Sequence, residues 1–470
     1  MEINLPVPKH QRCFECVDII ERISKLPDEI LGKILSYLPT KEAVATSILS
    51  KRWEHLWALT SDLDFSDYLL HVYRNSSEND CMIKMRSFPK YVDRVIFYHA
   101  GSNIRKCNMS FYTKYFPSSA HAWICAMITC NVQELFLSYS DLQLSTYYQL
   151  PWSLFSCNTL GVLEIYGKFV IDLPAYVCFP CLKCLKVKGV LFVDNASAER
   201  LFSSCPVLEE LTIKSGLEIM NISVSSLKRL CIHFWAIETN ISTPCLEYLE
   251  MVHDEVDALF RYFVNFTSSL VQAQLEGVDI YLLKAISQVE CLGLTETDRS
   301  LQSIIGDSAL PIFKNLKTLK LGRVRYLSPN DWKMLTNLLE SSPNLQVLVF
   351  PDGLVSDGIH HEELNYFNLQ RPEPVAECLS MHLKTVEIYE FFGLQEELQL
   401  LEYFLECGKV LEKMIIHRYV VSKNPTLEKK VKEDKAMSEL LSLRFSCSTR
   451  QLMRFRRSCS SSSCEVIFTN

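Results

Sequence analysis

The sequence predicts an α/β fold: a helical N-terminal block followed by a curved solenoid, with short parallel strands inside and helices or irregular segments outside. Two observations predict it. A six-residue pattern, apolar-x-x-apolar-x-apolar, occurs twelve times between Val132 and Ile416, with most starts 19 to 29 residues apart. Residues 20–65 instead carry apolar side chains at helical spacing. A short pattern at a regular period is typical of stacked repeats.

Each copy of the pattern predicts one strand. The last two apolar positions are two residues apart, so on a strand their side chains point to the same face. One repeat cannot bury this face alone, and stacking on its neighbours supplies the core. Segments 200–208 and 337–345 carry leucines at helical spacing, and a proline then stops each predicted helix before the next strand.

The N-terminal block predicts two short helices. Pro27 followed by Asp28 and Glu29 favours a helix start, because proline suits the first turn and acidic groups favour the N-terminal end of a helix. Pro39 ends this helix, and the Thr40 side chain is predicted to cap the next one. Further helices are predicted around 82–97 and 119–129. The apolar stripe of the first helix consists of Ile30, Leu31, Ile34, Leu35 and Leu38.

The composition limits the classes of function. The chain has 470 residues, 48% of them hydrophobic and 22% charged, so it can bury a large core. Its net charge of −7 gives no basic field for nucleic acid or for an anionic membrane. The longest apolar stretches fall short of the roughly 18 residues that a membrane span needs. Nineteen scattered cysteines and an N-terminus without an apolar signal core predict a protein of the cytoplasm, the nucleus or both.

No motif predicts catalysis, a cofactor or a metal site. Cys178, Cys181 and Cys184 are three residues apart, and Cys13 and Cys16 form a second C-x-x-C, but no further ligand pair completes a zinc set. The run 360–363, His-His-Glu-Glu, is predicted to be a solvated loop. Five arginines between 444 and 457 could form a nucleic-acid site or a nuclear signal; we favour a solvated tail, because no recognised nucleic-acid-binding module accompanies them.

Three parts of the chain carry a family resemblance. Residues 23–67 contain LPDEIL, LPTK, ATSILSKRW and LDF, and resemble a plant F-box. The phrase CPVLEEL at 205–211 resembles the degenerate leucine-rich repeats of plant F-box proteins, and 377–414 with 463–468 resembles the FBD region that closes many of them. The resemblance implies these segments: 1–19, a flexible arm; 20–67, the F-box; 68–130, a helical linker and solenoid cap; 131–370, leucine-rich repeats; 371–423, an FBD region continuing the solenoid; 424–470, a charged and Ser-rich tail.

The resemblance also implies a function. In the family, the F-box binds a Skp-type adaptor, which connects to a cullin and its RING partner. This chain would then be a non-catalytic substrate receptor of an SCF-type ubiquitin ligase; the alternative is a repeat scaffold or inhibitor that acts outside a ligase. In the block, Ile34, Leu38, Ile48 and Trp57 could equally form its own core. The residues implied to face the adaptor are Leu26, Pro27, Ile30, Leu31, Leu35, Val44, Leu49 and Trp53.

The repeats predict a surface for a protein target. Residues beside the last two apolar positions of each copy point to the side of the sheet away from the core. Their charges are mixed and several are aromatic, which suits protein recognition better than a polyanion. The candidates are Glu134, Glu164, Lys186, Lys188, Glu210, Lys214, Arg229, His233, Tyr248, Glu250, Lys320, Glu387 and Tyr389. Those favoured as target-binding residues are Lys186, Lys188, Glu210, Lys214, Arg229, Tyr248, Glu250 and Lys320.

Overall fold

The computed structural model falls into two compact units, residues 1–193 and 194–470. The residues that it describes are 23, 25–65, 78–112, 117–140, 147–214, 216–217, 219–234, 238–253, 261–265, 269–276, 280–295, 310–322, 329–354, 375–391, 395–418 and 464–469. Cys13, Cys16, the 360–363 run and the arginines between 444 and 457 lie outside these residues.

The first unit combines a helical N-terminal block with a parallel sheet in the order β1-β2-β3-β5-β7, and a small sheet β4-β6-β8. Its helices are α1 (Asp28–Leu35), α2 (Thr40–Ala45), α3 (Glu78–Tyr98) and α4 (Pro117–Thr129). Its strands are β1 (Asp62–Asp64), β2 (Lys106–Tyr112), β3 (Glu134–Ser140), β4 (Tyr148–Gln149), β5 (Val162–Gly167), β6 (Phe169–Ile171), β7 (Cys184–Lys188) and β8 (Leu191–Phe192).

The second unit contains a parallel sheet in the order β9-β11-β13-β15-β16-β17-β18-β19-β20-β21, and a small sheet β10-β12-β14. Its helices are α5 (Asn195–Ser203), α6 (Ile280–Ala285), α7 (Pro329–Glu340), α8 (Glu377–Met381) and α9 (Gln395–Cys407). Its strands are β9 (Glu210–Lys214), β10 (Ile219–Ile222), β11 (Arg229–Phe234), β12 (Glu238–Ser242), β13 (Tyr248–His253), β14 (Arg261–Asn265), β15 (Gln272–Glu276), β16 (Cys291–Thr295), β17 (Thr318–Leu321), β18 (Val347–Phe350), β19 (Thr385–Phe391), β20 (Lys413–Arg418) and β21 (Glu465–Thr469).

The predicted repeats are confirmed as strands at all twelve positions. Each of these strands begins two residues after the first apolar residue of its pattern, as β7 does after Leu182 and β11 after Leu227. Neighbouring strands pair with equivalent pattern positions opposite each other, for example Leu230 opposite Leu211. The three apolar positions of every copy are almost completely buried, which forms one continuous core in each unit.

The segment between the N-terminal block and the first predicted repeat is not wholly helical. Helices α3 and α4 match the predicted ones, but β2 lies between them, pairing with β1 on one side and β3 on the other. Its sequence, Ile104-x-x-Cys107-x-Met109, follows the repeat pattern with a cysteine at the fourth position. The repeat sheet therefore starts earlier in the chain than the sequence analysis predicted.

Segments between the strands form either helices or short strands. Among the helices, α5 is capped by Asp194, whose carboxylate accepts a hydrogen bond from the Ser197 backbone N–H at 2.6 Å. Hydrogen bonds from the Ser197 hydroxyl and from its backbone N–H hold the pKa of the Asp194 carboxyl below its ordinary value. Other segments of the second unit instead form β10, β12 and β14, where Asn240 donates to the Asn221 side chain at 2.6 Å.

Candidate functional site

Helix α1 of the N-terminal block has one buried and one exposed apolar face. Leu31 and Leu35 are almost completely buried beside Gly32, whereas Ile30 and Ile34 are 46% and 44% exposed. Isolated exposed apolar residues are common, but an i,i+4 pair on one helix face forms a continuous strip. The block thus fills its own core and still leaves an apolar strip outside.

Further exposed apolar side chains lie outside α1. Ile48 and Leu49, which follow α2, are 87% and 64% exposed. Exposed apolar side chains concentrated on a small block are typical of a protein interaction site. We call this group of side chains the outer apolar set. It consists of Ile30, Ile34, Tyr37, Leu38, Ile48 and Leu49.

The residues predicted to face an adaptor are spread over both faces of the block. Pro27, Ile30 and Leu49 are exposed; Leu26, Val44 and Trp53 are half-buried; Leu31 and Leu35 are buried within the block itself. All eight remain predictions as adaptor contacts.

The four residues that could have formed the core of the block fall into two groups. Trp57 lies in the core of the block, as that alternative suggested, while Ile34, Leu38 and Ile48 are exposed and belong to the outer apolar set. Helical spacing alone could not separate these two uses, because a core face and an interface face produce the same periodicity.

Two side chains fix the conformation of the block. The Arg52 guanidinium pairs with Asp28 at 2.6 Å and also donates to the Leu26 backbone carbonyl, so it joins the turn after α2 to the start of α1. Thr40 does not cap α2 as predicted. Its hydroxyl instead accepts a hydrogen bond from the Asp64 backbone N–H at 2.6 Å, which links the block to β1.

An aromatic cluster joins the block to α3. The Trp57 ring packs edge-on against Tyr98 with centroids 5.3 Å apart, and its N–H donates to the Glu54 carbonyl at 3.0 Å. His99 lies behind Trp57, is fully buried, and hydrogen-bonds the Val95 carbonyl through Nδ1 at 2.9 Å. Burial lowers the pKa of His99, so this imidazole is neutral at physiological pH.

In the first unit, the exposed face of the sheet carries a hydrogen-bonded cluster. Glu164 on β5 pairs with Lys186 at 2.8 Å and accepts a hydrogen bond from the Tyr166 hydroxyl. Lys188 lies over the Tyr166 ring, 5.6 Å from its centroid. Burial, and then the bond to Glu164, raise the pKa of Tyr166. Lys186 and Lys188 were both predicted as target-binding residues, and the structure brings them together around one tyrosine.

In the second unit, the same arrangement occurs on β11 and β13. The Tyr248 hydroxyl donates to Glu250 at 2.8 Å, and His233 hydrogen-bonds the other oxygen of that carboxylate at 3.1 Å. The Arg229 guanidinium lies over the Tyr248 ring at 4.1 Å. Arg229, Tyr248 and Glu250, all predicted as target-binding, therefore form one cluster.

The other predicted target residues lie on other strands. Glu210 and Lys214 are exposed at the two ends of β9, and Lys320 is half-buried on β17. A third tyrosine–glutamate pair lies on β19, where Tyr389 donates to Glu387 at 2.8 Å. Its ring stacks on His417 at 4.0 Å, and His417 in turn bonds Glu387 at 3.0 Å. The sequence analysis did not identify His417.

The cysteines and possible metal ligands form no further site in the described part of the chain. There, no group of three or more His, Cys, Asp or Glu side chains could hold a metal ion. Cys181 is exposed, Cys184 is half-buried at the start of β7, and neither forms a disulfide. No helix among the described residues is both long and apolar enough to cross a bilayer.

A helical block with an exposed apolar strip and a parallel sheet built from repeats define the class of this chain: a repeat protein with a helical N-terminal block. Comparison with family models identifies the parts. An F-box domain matches residues 23–61, the LRR repeats of "FBD-associated F-box protein At5g56370" match 120–350, and FBD matches 370–416.

Individual relatives match most of the chain. The "FBD-associated F-box protein At4g10400" of Arabidopsis thaliana is 31% identical over 82% of this chain and 90% of the relative. The "F-box/FBD/LRR-repeat protein At4g00160" of the same plant is 32% identical, covering 84% and 85%. The "F-box/LRR-repeat protein At1g06630" is also 32% identical, covering 83% and 96%. This chain belongs to the F-box/FBD/LRR-repeat protein family.

Proposed function

We propose that this protein is the substrate-recognition subunit of an SCF-type ubiquitin ligase. Its F-box would dock a Skp-type adaptor, and through it the cullin and RING subunits, while the exposed sheet face would hold a protein target. The chain itself would catalyse nothing: it would hold the target near the charged conjugating enzyme, which makes transfer effectively intramolecular.

The outer apolar set is the observation that supports docking of the adaptor. Exposed apolar side chains at i, i+4 and beyond on one helix are what a partner groove can cover. Leu31, Leu35 and Trp57 already fill the core of the block, so the exposed residues are not needed for its folding.

The compartment is part of the proposal. We place the protein in the cytoplasm, the nucleus or both. Several buried cysteines form no disulfide, among them Cys107, Cys205 and Cys378, which supports a reducing environment.

Co-expression with a Skp-type adaptor tests the proposal. The full chain is expected to co-purify with the adaptor, and Ile34→Asp is expected to remove this association, because a carboxylate cannot be buried unpaired in an apolar groove. Tyr281→Asp is the matched control, since Tyr281 is 71% exposed on α6 of the second unit. Failure of the unmodified chain to bind any Skp-type adaptor would favour the scaffold alternative.

A further inference from the structure

We infer that the sheet face of the second unit contains a preformed binding point for a carboxylate of the target, centred on Arg229. This inference rests on the proposed function and specifies the chemistry of the partner: a polypeptide segment carrying Asp or Glu. We call the group Arg229, Tyr248, Glu250 and His233 the Arg229 anchor.

The Glu250 carboxylate organises the anchor but is itself occupied. One oxygen accepts from the Tyr248 hydroxyl at 2.8 Å and the other contacts His233 Nε2 at 3.1 Å; the Cys231 thiol also lies 3.8 Å away. A carboxylate with this many donors holds its neighbours in place and has little remaining capacity for an external cation. Glu250 therefore acts as a support for the tyrosine.

The Tyr248 ring then positions Arg229. The two residues are direct register partners on β13 and β11, and the guanidinium carbon lies 4.1 Å from the ring centroid. A hydroxyl that donates to a carboxylate makes its ring more electron-rich, which strengthens the attraction for a cation above it. This contact fixes the guanidinium without using its N–H groups.

Arg229 has no ion pair with any residue in the described part of the chain. Glu210 is its register partner on β9, yet no ion pair joins the two, and Glu250 is engaged elsewhere. An exposed guanidinium held over a ring can offer its N–H fork to a carboxylate, the group it binds in two-point fashion. Arginine and tyrosine are also the residue types that contribute most at protein interfaces.

The first unit has the same arrangement of a glutamate, a tyrosine and a basic side chain, and this repetition argues against a chance arrangement. There Glu164 supports Tyr166, and the ring of Tyr166 carries Lys188, again its direct register partner. Lys188 likewise has no ion pair with a residue that the structure describes. The acidic residues around each cation disfavour a continuous polyanion such as nucleic acid and favour a segment with separate carboxylates.

The test uses the full chain purified with its adaptor and a displayed library of random dodecapeptides. Selection on the unmodified protein is expected to enrich Asp and Glu. The selected peptides are expected to bind Arg229→Gln about 10- to 100-fold more weakly. The matched control is Lys333→Gln, which removes one positive charge from an exposed position of α7 and should leave binding unchanged. A melting curve for each variant separates lost binding from lost folding.

Charge reversal makes the inference specific. Selection on Arg229→Glu is expected to enrich Lys and Arg instead. The inference is overturned if the unmodified protein selects peptides without acidic enrichment, if Arg229→Gln binds the acidic peptides equally well, or if a short oligonucleotide displaces them more effectively than free peptide does. Binding of the Skp-type adaptor is measured in the same experiments. If the protein selects acidic peptides but does not bind the adaptor, the ligase proposal is contradicted and the Arg229 inference is not.

Discussion

The Tyr248 hydroxyl donates a 2.8 Å hydrogen bond to Glu250, two residues later on the same strand, so both side chains lie on the exposed face of the sheet. The same i,i+2 pairing joins Tyr166 to Glu164 and Tyr389 to Glu387. In each case a basic or imidazole side chain from a neighbouring strand lies over the tyrosine ring. These tyrosines stabilise the orientation of charged groups on a surface that would otherwise be mobile.

We predict that Tyr248 stays protonated well above the pH at which free tyrosine ionises. Burial, and then the hydrogen bond to Glu250, raise its pKa in the folded protein. An unfolded tyrosine ionises near pH 10, so folding stability is intact below this pH and falls as pH rises above it. Urea unfolding at pH 8 and above pH 10 should show a smaller alkaline loss for Tyr248→Phe than for the unmodified protein. An equal loss would contradict the assigned environment.

Gly167 is predicted to be essential for the packing of β5. Its φ is +97°, and a Cβ at this position would lie 1.9 Å from the Tyr139 carbonyl oxygen. Gly167→Ala should therefore lower the free energy of unfolding by about 3 kcal/mol or more, combining backbone strain with a steric clash. Gly101→Ala is the control: its φ is +86°, but its Cβ would meet nothing within 4 Å. Chemical denaturation should show a smaller loss in the free energy of unfolding for Gly101→Ala than for Gly167→Ala, because Gly101→Ala adds backbone strain without a steric clash.

The two faces of α1 should respond differently to substitution. Leu31→Ala removes a fully buried side chain, and we expect a loss of about 2–5 kcal/mol in stability. Ile34→Ala removes a side chain that is 44% exposed and should cost far less stability while weakening adaptor binding. Thermal unfolding and an adaptor titration on the same samples give both values. Comparable destabilisation by the two changes would mean that Ile34 belongs to the core.

The thiols should react in an order set by burial. Burial raises the pKa of Cys378 to about 12, so its thiolate is scarce at neutral pH, whereas Cys181 and Cys245 are exposed. A thiol reagent at pH 8 should label the exposed pair first, with Cys378 reacting only on unfolding. Peptide mapping by mass spectrometry identifies the labelled residues. Early labelling of Cys378 would show that α8 does not pack as described.

The sequence predicted the repeat sheet well because each of the twelve copies of its apolar pattern marks the start of a strand. It missed β1 and β2, whose copies have Thr60 and Cys107 at positions where leucine is usual. It could not divide α1 into core and interface, since Leu31 and Ile34 have equivalent periodicity. The sequence also could not predict the contact between Arg229 and Tyr248. This contact exists because β11 and β13 pair with equivalent pattern positions opposite each other, and only the assembled sheet shows this register.

The central claim is that one chain separates adaptor docking from target holding. Hydrogen–deuterium exchange of the full chain, with and without a Skp-type adaptor, tests it most directly. We predict that adaptor binding slows exchange in residues 26–57 and leaves β11 and β13 unchanged, because we propose these two strands as part of the target surface. Protection in the sheet strands with none in residues 26–57 would contradict the account.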